Sequence, residues 1–323
     1  MTDGVSVIVC CYNSAQRISD TLRYLSRQMT SASLPWEIIL VDNASTDATK
    51  KKATEIWEET GAIVPLRIID EPKPGLSYAR NAGILKSAYE FVLFCDDDNW
   101  LTENYVQLVY DILTTNQQIG VLGGRNVAIT DGGLPYWFNS FEEFYAVGCQ
   151  ALDSGELRNR DFVFGAGMAF RNSVYRRLLD LGFKNLATDR TGTSLISGGD
   201  VELCYVMKIT GYKIWYDERL SLYHYMTPNR LTKEYLRALQ QGANTSVDTL
   251  QVYDPYLQGL HKKGYKKVVF FLFYAVKYAA AKIMNRGNAA YFSTYLEACS
   301  DLPLTISRPS AGVKALLKKA SHK

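Results

Sequence analysis

Phe91-Val92-Leu93-Phe94-Cys95-Asp96-Asp97-Asp98 is the stretch on which the fold turns. Its five apolar residues are short and bounded, and they read as a buried strand. Three carboxylates then arrive together at one point of a sheet edge. Like charges at that spacing repel, and burial raises the cost. A divalent cation relieves it. Mg²⁺ and Mn²⁺ take hard oxygen ligands, commonly one or two carboxylates together with the phosphates of a substrate. The triplet therefore points to a metal–diphosphate site, with a solvated acidic turn as the alternative.

Upstream, the chain alternates strand and helix. Val5-Ser6-Val7-Ile8-Val9-Cys10 is rich in β-branched residues, and Tyr12-Asn13-Ser14 punctuates it. Ile18, Leu22 and Leu25 follow at helical spacing. Trp36 to Val41 is a second strand ending in Asp42-Asn43, with Ser45, Thr46 and Asp47 as N-cap candidates for the next helix. Leu66 to Ile69 is a third strand, and Leu76 to Ala88 returns to helix. That order predicts an α/β fold, a mostly parallel open sheet with helices on both faces. Ligands bind such sheets beyond the carboxyl ends of the strands. Three of those ends carry Tyr12-Asn13, Asp42-Asn43 and Asp96-Asp98, which are expected to converge on one crevice. No G-x-G-x-x-G follows the first strand and no Walker lysine motif is present, so the usual dinucleotide and P-loop sites lose support.

The ordered set Val5–Val9 with Tyr12-Asn13, Val41–Asp47, Gly75 with Ala79-Arg80-Asn81-Ala82-Gly83, and Asp96-Asp97-Asp98 resembles glycosyltransferase family 2. The resemblance runs from about Val5 to about Tyr225. It implies the GT-A fold, a nucleotide-sugar donor such as a UDP-sugar, Mn²⁺ or Mg²⁺, and inversion at the anomeric carbon. On that resemblance Tyr12, Asn13, Asp42, Arg80, Asp96 and Asp97 bind the nucleotide-sugar. Asp96 and Asp98 match the two ends of the D-x-D motif, with Asp98 as the direct metal ligand. The structural alternatives are that Tyr12 packs the first turn and that Arg80 pairs with a surface acid.

Further along, Gly165–Arg171 resembles the acceptor-side segment of the family, and Gly167 would let backbone approach the sugar closely. Gly198-Gly199-Asp200-Val201-Glu202-Leu203 resembles a family motif usually written with Glu-Asp at its centre; here Gly199 stands in place of the Glu. The implied role of Asp200 is general base, placed at a helix N-terminus where a carboxylate is favourable. A plain N-cap is the alternative. Glu202 is assigned to acceptor binding. His224 resembles a metal-binding histidine of some GT-A enzymes; a packed imidazole between tyrosines is its alternative. Leu186 to Gly199 reads as a polar, mobile loop before the base.

The bulk numbers agree with a globular chain: 323 residues, 47% hydrophobic, 21% charged. The six cysteines form no C-x-x-C pair, which suggests reduced thiols and argues against zinc. No secretory leader is read at the start, so a cytoplasmic position is expected. Charge is uneven. From His261 to Lys323 twelve Lys or Arg face two acids, a net +10, which leaves −7 for residues 1–260. The expected organisation is a catalytic domain over 1–230, with a nucleotide-sugar half (1–125) and an acceptor half (126–230). A helical basic extension over 231–323 follows.

Within that extension, Val268–Val276 is strongly apolar but falls short of a membrane span. Peripheral contact of 262–286 with anionic lipid at the inner face of the cell membrane is one reading, and a core helix the other. No nucleic-acid recognition motif accompanies the basic residues. The segment from Arg230 to Ala243 lacks the Q-x-x-R-W pattern of processive synthases, which favours transfer of a single sugar to a glycan or lipid-linked acceptor. Two rivals stand beside this reading: a nucleotidyltransferase that makes nucleotide-sugars, and a non-catalytic sugar- or nucleotide-binding protein on the same scaffold.

Overall fold

The computed structural model describes residues 1–191, 194–258, 274–282 and 292. Four strands form its first half: β1 (Thr2–Cys11), β2 (Trp36–Asn43), β3 (Leu66–Glu71) and β4 (Tyr89–Asp96). They lie parallel in the order β3-β2-β1-β4. The helices between them are α1 (Ile18–Ser26), α2 (Thr49–Thr60) and α3 (Leu76–Lys86). The sheet then continues through β8 (Ala169–Arg171), β6 (Ile119–Ile129), β9 (Lys213–Tyr225) and the edge strand β5 (Asn99–Leu101), while β7 (Gly155–Glu156) pairs with β9. β8 runs antiparallel to both β4 and β6, and β6 and β9 are parallel. Six strands therefore share one direction, and β5, β7 and β8 oppose it.

Strand alternation divides the core between the two faces. Val5, Val7 and Val9 of β1 pack with Leu22 and Leu25 of α1, Ile56 of α2, and Val106 and Val109 of α4 (Tyr105–Thr115). Ile8, which points the other way, packs with Ala79 and Ile84 of α3, Leu178 of α5 (Asn172–Asp180), and Leu203 and Met207 of α6 (Gly199–Ile209). The expected layering, helices on both faces of a mostly parallel sheet, is the one found. Ser6 breaks the apolar run of β1 at no loss, because its hydroxyl donates to Glu37 Oε1 at 2.9 Å inside the core.

Two local expectations differ from the structure. α2 begins at Thr49 with Ala48 as its N-cap. Ser45 and Thr46 are taken by Asn13: Asn13 N donates to Ser45 Oγ at 3.0 Å, and Thr46 N donates to Asn13 Oδ1 at 2.8 Å. Only Asp47 serves the helix, accepting from Thr49 N at 3.0 Å. The expected extension after residue 230 is also not free-standing at its start, but packs on the residues before it. α7 (Lys233–Leu250) is capped by Thr232, whose hydroxyl accepts from Tyr235 N at 3.1 Å. Its Leu236 and Leu239 pack with Phe138, Tyr145 and Met226. Tyr253, just before α8 (Asp254–Leu257), donates its hydroxyl to Glu202 of α6 at 2.6 Å.

Residues 274–282 are helical. Most of the segment read as a membrane contact, 262–286, lies outside the described residues, and so does Cys299. No described helix is long and apolar enough to cross a membrane. The described cysteines are free.

Candidate active site

Parallel pairing brings the strand ends together. In the ladders Cys11 stands opposite Asp42 and Cys10 opposite Asp96, so the exits of β1, β2 and β4 share one edge. A cavity of about 620 Å³ opens there. Tyr12, Arg80, Asp96, Asp97, Asp98, Asp200 and His224 all line it. Seven of the residues expected in the site thus meet, although they come from both halves of the chain.

The three aspartates are held differently. Asp96 is partly exposed and faces Arg80 Nη2 at 3.8 Å. Asp97 accepts from Arg17 Nη2 at 2.6 Å and from the Ser14 hydroxyl. Burial and the neighbouring Asp98 still push its carboxyl upward. Asp98 accepts from Arg230 Nη1 at 2.5 Å and lies 3.4 Å from His224 Nε2. Burial opposes its charge, but His224 and Arg230 outweigh that and hold it well below the usual carboxylate range. His224 is opposite Asn99 in the β5–β9 ladder, and Tyr225 N donates to Asp98 O at 2.9 Å. The histidine is therefore delivered to the triplet by strand pairing.

Arg80 is buried, with its guanidinium 4.7 Å above the Phe94 ring. Besides Asp96 it meets Asp189 Oδ2 at 3.6 Å. Burial works against its charge, yet Asp189, Asp96 and Asp200 together keep it firmly protonated. This is not the surface pair considered from sequence.

Asp200 lies in the first turn of α6. Its Oδ2 accepts from Gly165 N at 2.8 Å and its Oδ1 from Val201 N at 3.0 Å. Burial raises its carboxyl above the ordinary value; Arg80 works against that shift and Asp189 adds to it. A half-buried carboxylate with a raised pKa in a cavity is suited to taking a proton.

Four expected site residues sit elsewhere. Asn13, at φ 49, occupies a left-handed turn and bridges to Ser45 and Thr46, so its side chain is spent on the loop. Asp42 does not line the cavity. It is buried, its Oδ1 has no hydrogen-bond partner among the described residues, and Lys50 Nζ is 3.9 Å from its Oδ2. Gly167 packs behind the cavity rather than facing an acceptor. Its φ is +74, and a Cβ there would come within 2.5 Å of the Tyr105 hydroxyl. Glu202 is fully buried and does not face an acceptor either. Its carboxylate accepts from Leu186 N and Ala187 N, both at 2.9 Å, and from Tyr253 Oη.

The stretch expected to be a mobile loop is tied at its start, where Leu186 N donates to Glu202 at 2.9 Å, and again within itself. Arg190 O accepts from Leu76 N at 3.1 Å, and Asp189 Oδ1 accepts from Gly199 N at 2.8 Å. Arg17, Asp189, Arg190 and Arg230 also line the cavity and were not singled out from sequence. Arg17 carried a readable signal, since it opens the first helix directly after the β1 exit.

Asp96, Asp98 and His224 offer hard oxygens and an imidazole, a set suited to Mn²⁺ or a similar ion. His224 Nδ1 is buried and without a hydrogen-bond partner among the described residues. The donor types fit a divalent cation. In the arrangement described, however, Arg230 holds one oxygen of Asp98, and no three His, Cys, Asp or Glu side chains among the described residues are gathered as a finished metal centre.

The chain is similar to several known proteins. Over 143 residues it is 32% identical to glycosyltransferase GlyA of Streptococcus pneumoniae, covering 44% of this chain and 20% of that one. Over 244 residues it is 23% identical to the poly-beta-1,6-N-acetyl-D-glucosamine synthase of Staphylococcus epidermidis, covering 74% and 55%. The chain thus spans between a fifth and just over half of these relatives. Its fold is shared with the crystal structure of S. aureus TarS 1-349 in complex with UDP, at TM-score 0.53 and 18% identity over 98% of this chain and 86% of that one. The UDP-GlcNAc complex of the same protein gives 0.52 at 18%, over 79% and 70%. Residues 6–179, more than half of the chain, match the family described as Glycosyl transferase family 2, and the protein belongs to that family.

Proposed function

We propose that this protein is an inverting glycosyltransferase that moves one sugar from a UDP-sugar to a hydroxyl of a glycan or lipid-linked acceptor. The observation that carries the reading is the shared cavity: Asp200 and the Asp96–Asp98 triplet face one space, and the Arg80 guanidinium acts on both. The donor class is supported by the fold shared with TarS, which was crystallised with UDP and with UDP-GlcNAc. The synthase among the relatives supports a wider role in polysaccharide assembly.

Tyr12, 48% exposed at the end of β1, offers a ring face to the nucleobase. Asp42, whose buried Oδ1 has no partner among the described residues, would accept from base or ribose once the exit of β2 shifts to admit the nucleotide. A divalent cation held by Asp98, Asp96 and His224 would offset the charge that builds on the departing diphosphate. Asp200 takes the proton from the acceptor hydroxyl as its oxygen bonds to the anomeric carbon. The carbon–oxygen bond to the diphosphate breaks on the opposite side, and UDP leaves with the bonding pair. One carboxylate suffices for that inversion, and its raised basicity suits the task.

Thermal unfolding with a panel of UDP-sugars, with and without Mn²⁺, tests the reading. A ligand at a hundred times its Kd stabilises by about 2.7 kcal/mol. The expected result is stabilisation by at least one UDP-sugar, strengthened by Mn²⁺ and lost in Asp98→Ala. A panel in which no nucleotide-sugar shifts the transition under either condition contradicts the proposal.

A further inference from the structure

We propose that Asp189 is a positioning residue for the base: its carboxylate, delivered from the loop, does the work that a side chain at position 199 cannot. The inference rests on Asp200 being the base. Gly199 is the first residue of α6, directly before Asp200. A Cβ built on Gly199 would come within 2.4 Å of Asp189 Oδ2 and 3.0 Å of its Oδ1. The Asp189 carboxylate fills the volume that a residue at 199 would need. The two cannot coexist without displacement.

That carboxylate is 4% exposed and fully engaged. Oδ1 accepts from Gly198 N at 3.2 Å and Gly199 N at 2.8 Å, so it satisfies amides that open α6. Oδ2 accepts from Ser77 Oγ at 3.2 Å and lies 3.6 Å from Arg80 Nη1. Arg80 in turn reaches Asp96. One side chain therefore ties the first turn of α6, which carries Asp200, to the guanidinium that reaches the end of β4. Arg80 Nε has no hydrogen-bond partner among the described residues, so its guanidinium is set by the Phe94 ring and by the carboxylates of Asp189 and Asp96. Without that carboxylate the Arg80 charge is left to Asp96 and Asp200. Asp200 is then drawn into a closer ion pair and away from an acceptor hydroxyl.

The test uses Asp189→Ala, Asp189→Asn, Gly199→Glu and the double variant Asp189→Gly/Gly199→Glu. Two readouts are taken: UDP release from the UDP-sugar that stabilises the protein in the panel above, and amide hydrogen exchange across 198–202. Asp189→Ala should lower kcat by roughly 10–100-fold, the size usual for lost supporting contacts, with donor KM little changed and exchange at 198–202 faster. Gly199→Glu should be impaired through crowding. The double variant should regain kcat and slow exchange, because the carboxylate returns from the helix side.

Should Asp189→Ala fail to fold, Asp189→Asn and the double variant still decide. A wild-type kcat in Asp189→Asn, or a folded double variant that binds UDP without recovery over the single variants, overturns the proposal. Loss of the base reading looks different: Asp200→Asn would then keep its turnover, whatever Asp189 does.

Discussion

Two aspartates, one buried and one half-buried, face the same cavity and are driven in opposite directions. Asp98, at the end of the parallel strands, is clasped by Arg230 and His224 and kept ionised against its burial. Asp200, at the start of α6, is held by two backbone amides and pushed upward by burial. Groups whose surroundings push their pKa values apart have separate tasks. The first region is built to keep a charge in place. The second, on the proposed function, accepts a proton and lets it go.

The largest expected effect breaks that contrast directly. Asp200→Asn keeps the shape and removes the basic oxygen, so transfer should fall by roughly 10²–10⁴-fold while UDP binding persists. Unchanged transfer in a discontinuous UDP-release assay would remove the base assignment. The same contrast fixes the sign of a pH effect. Asp200 must be ionised to act, and its folded value lies above the ordinary value of about 3.9. Transfer should therefore be complete above the raised value and decline as pH drops through it. An acid limb at or below about pH 3.9 would place the proton acceptor elsewhere.

The triplet region is sharpened by Arg230→Met. Breaking a buried pair costs about 3–5 kcal/mol. The Arg230 side chain keeps 20% of its exposure, so roughly 2–3 kcal/mol is expected from chemical denaturation. Mn²⁺ should stabilise this variant more than the wild type, since Asp98 is then free for it. Equal stabilisation of both proteins would argue that Arg230 does not compete for Asp98.

The smallest effects concern Glu202, which supports the second region from inside. Glu202→Gln should cost roughly 1–3 kcal/mol and Tyr253→Phe about 1 kcal/mol, both read as denaturant midpoints. Neither should alter the donor KM. A variant at Glu202 that changed acceptor KM with stability intact would return that residue to the acceptor side.

The first region was legible in the chain and the second only in part. Apolar runs with polar ends specify parallel strands, and parallel pairing alone brings Tyr12, Asp96 and the triplet to one edge. Asn13 misled because a polar residue at a strand exit reads as a ligand contact, whereas a left-handed turn has claimed it. Glu202 sits off the cavity for a reason the sequence contained. Two residues along a helix turn the side chain by about 200°, so it could not share the face of Asp200. Asp189 carried no signal at all. Its partners at 77, 80 and 199 are distant in sequence, and nothing in a single chain reports that a loop carboxylate fills the gap left by a glycine.

The β5–β9 ladder has a consequence for how this molecule tolerates change. His224 meets Asp98 only because Asn99 and His224 stand opposite each other in antiparallel phase. Side chains along a strand alternate with period two, so a slip of β5 by one residue would set Tyr223 or Tyr225 opposite Asn99 and move Asp98 away from an imidazole that β6 holds in place through Ala128. The few residues between the acidic run and Leu101 are thus a spacer of fixed count: side chains there can be exchanged, but one cannot be inserted or deleted without changing how Asp98 meets the histidine.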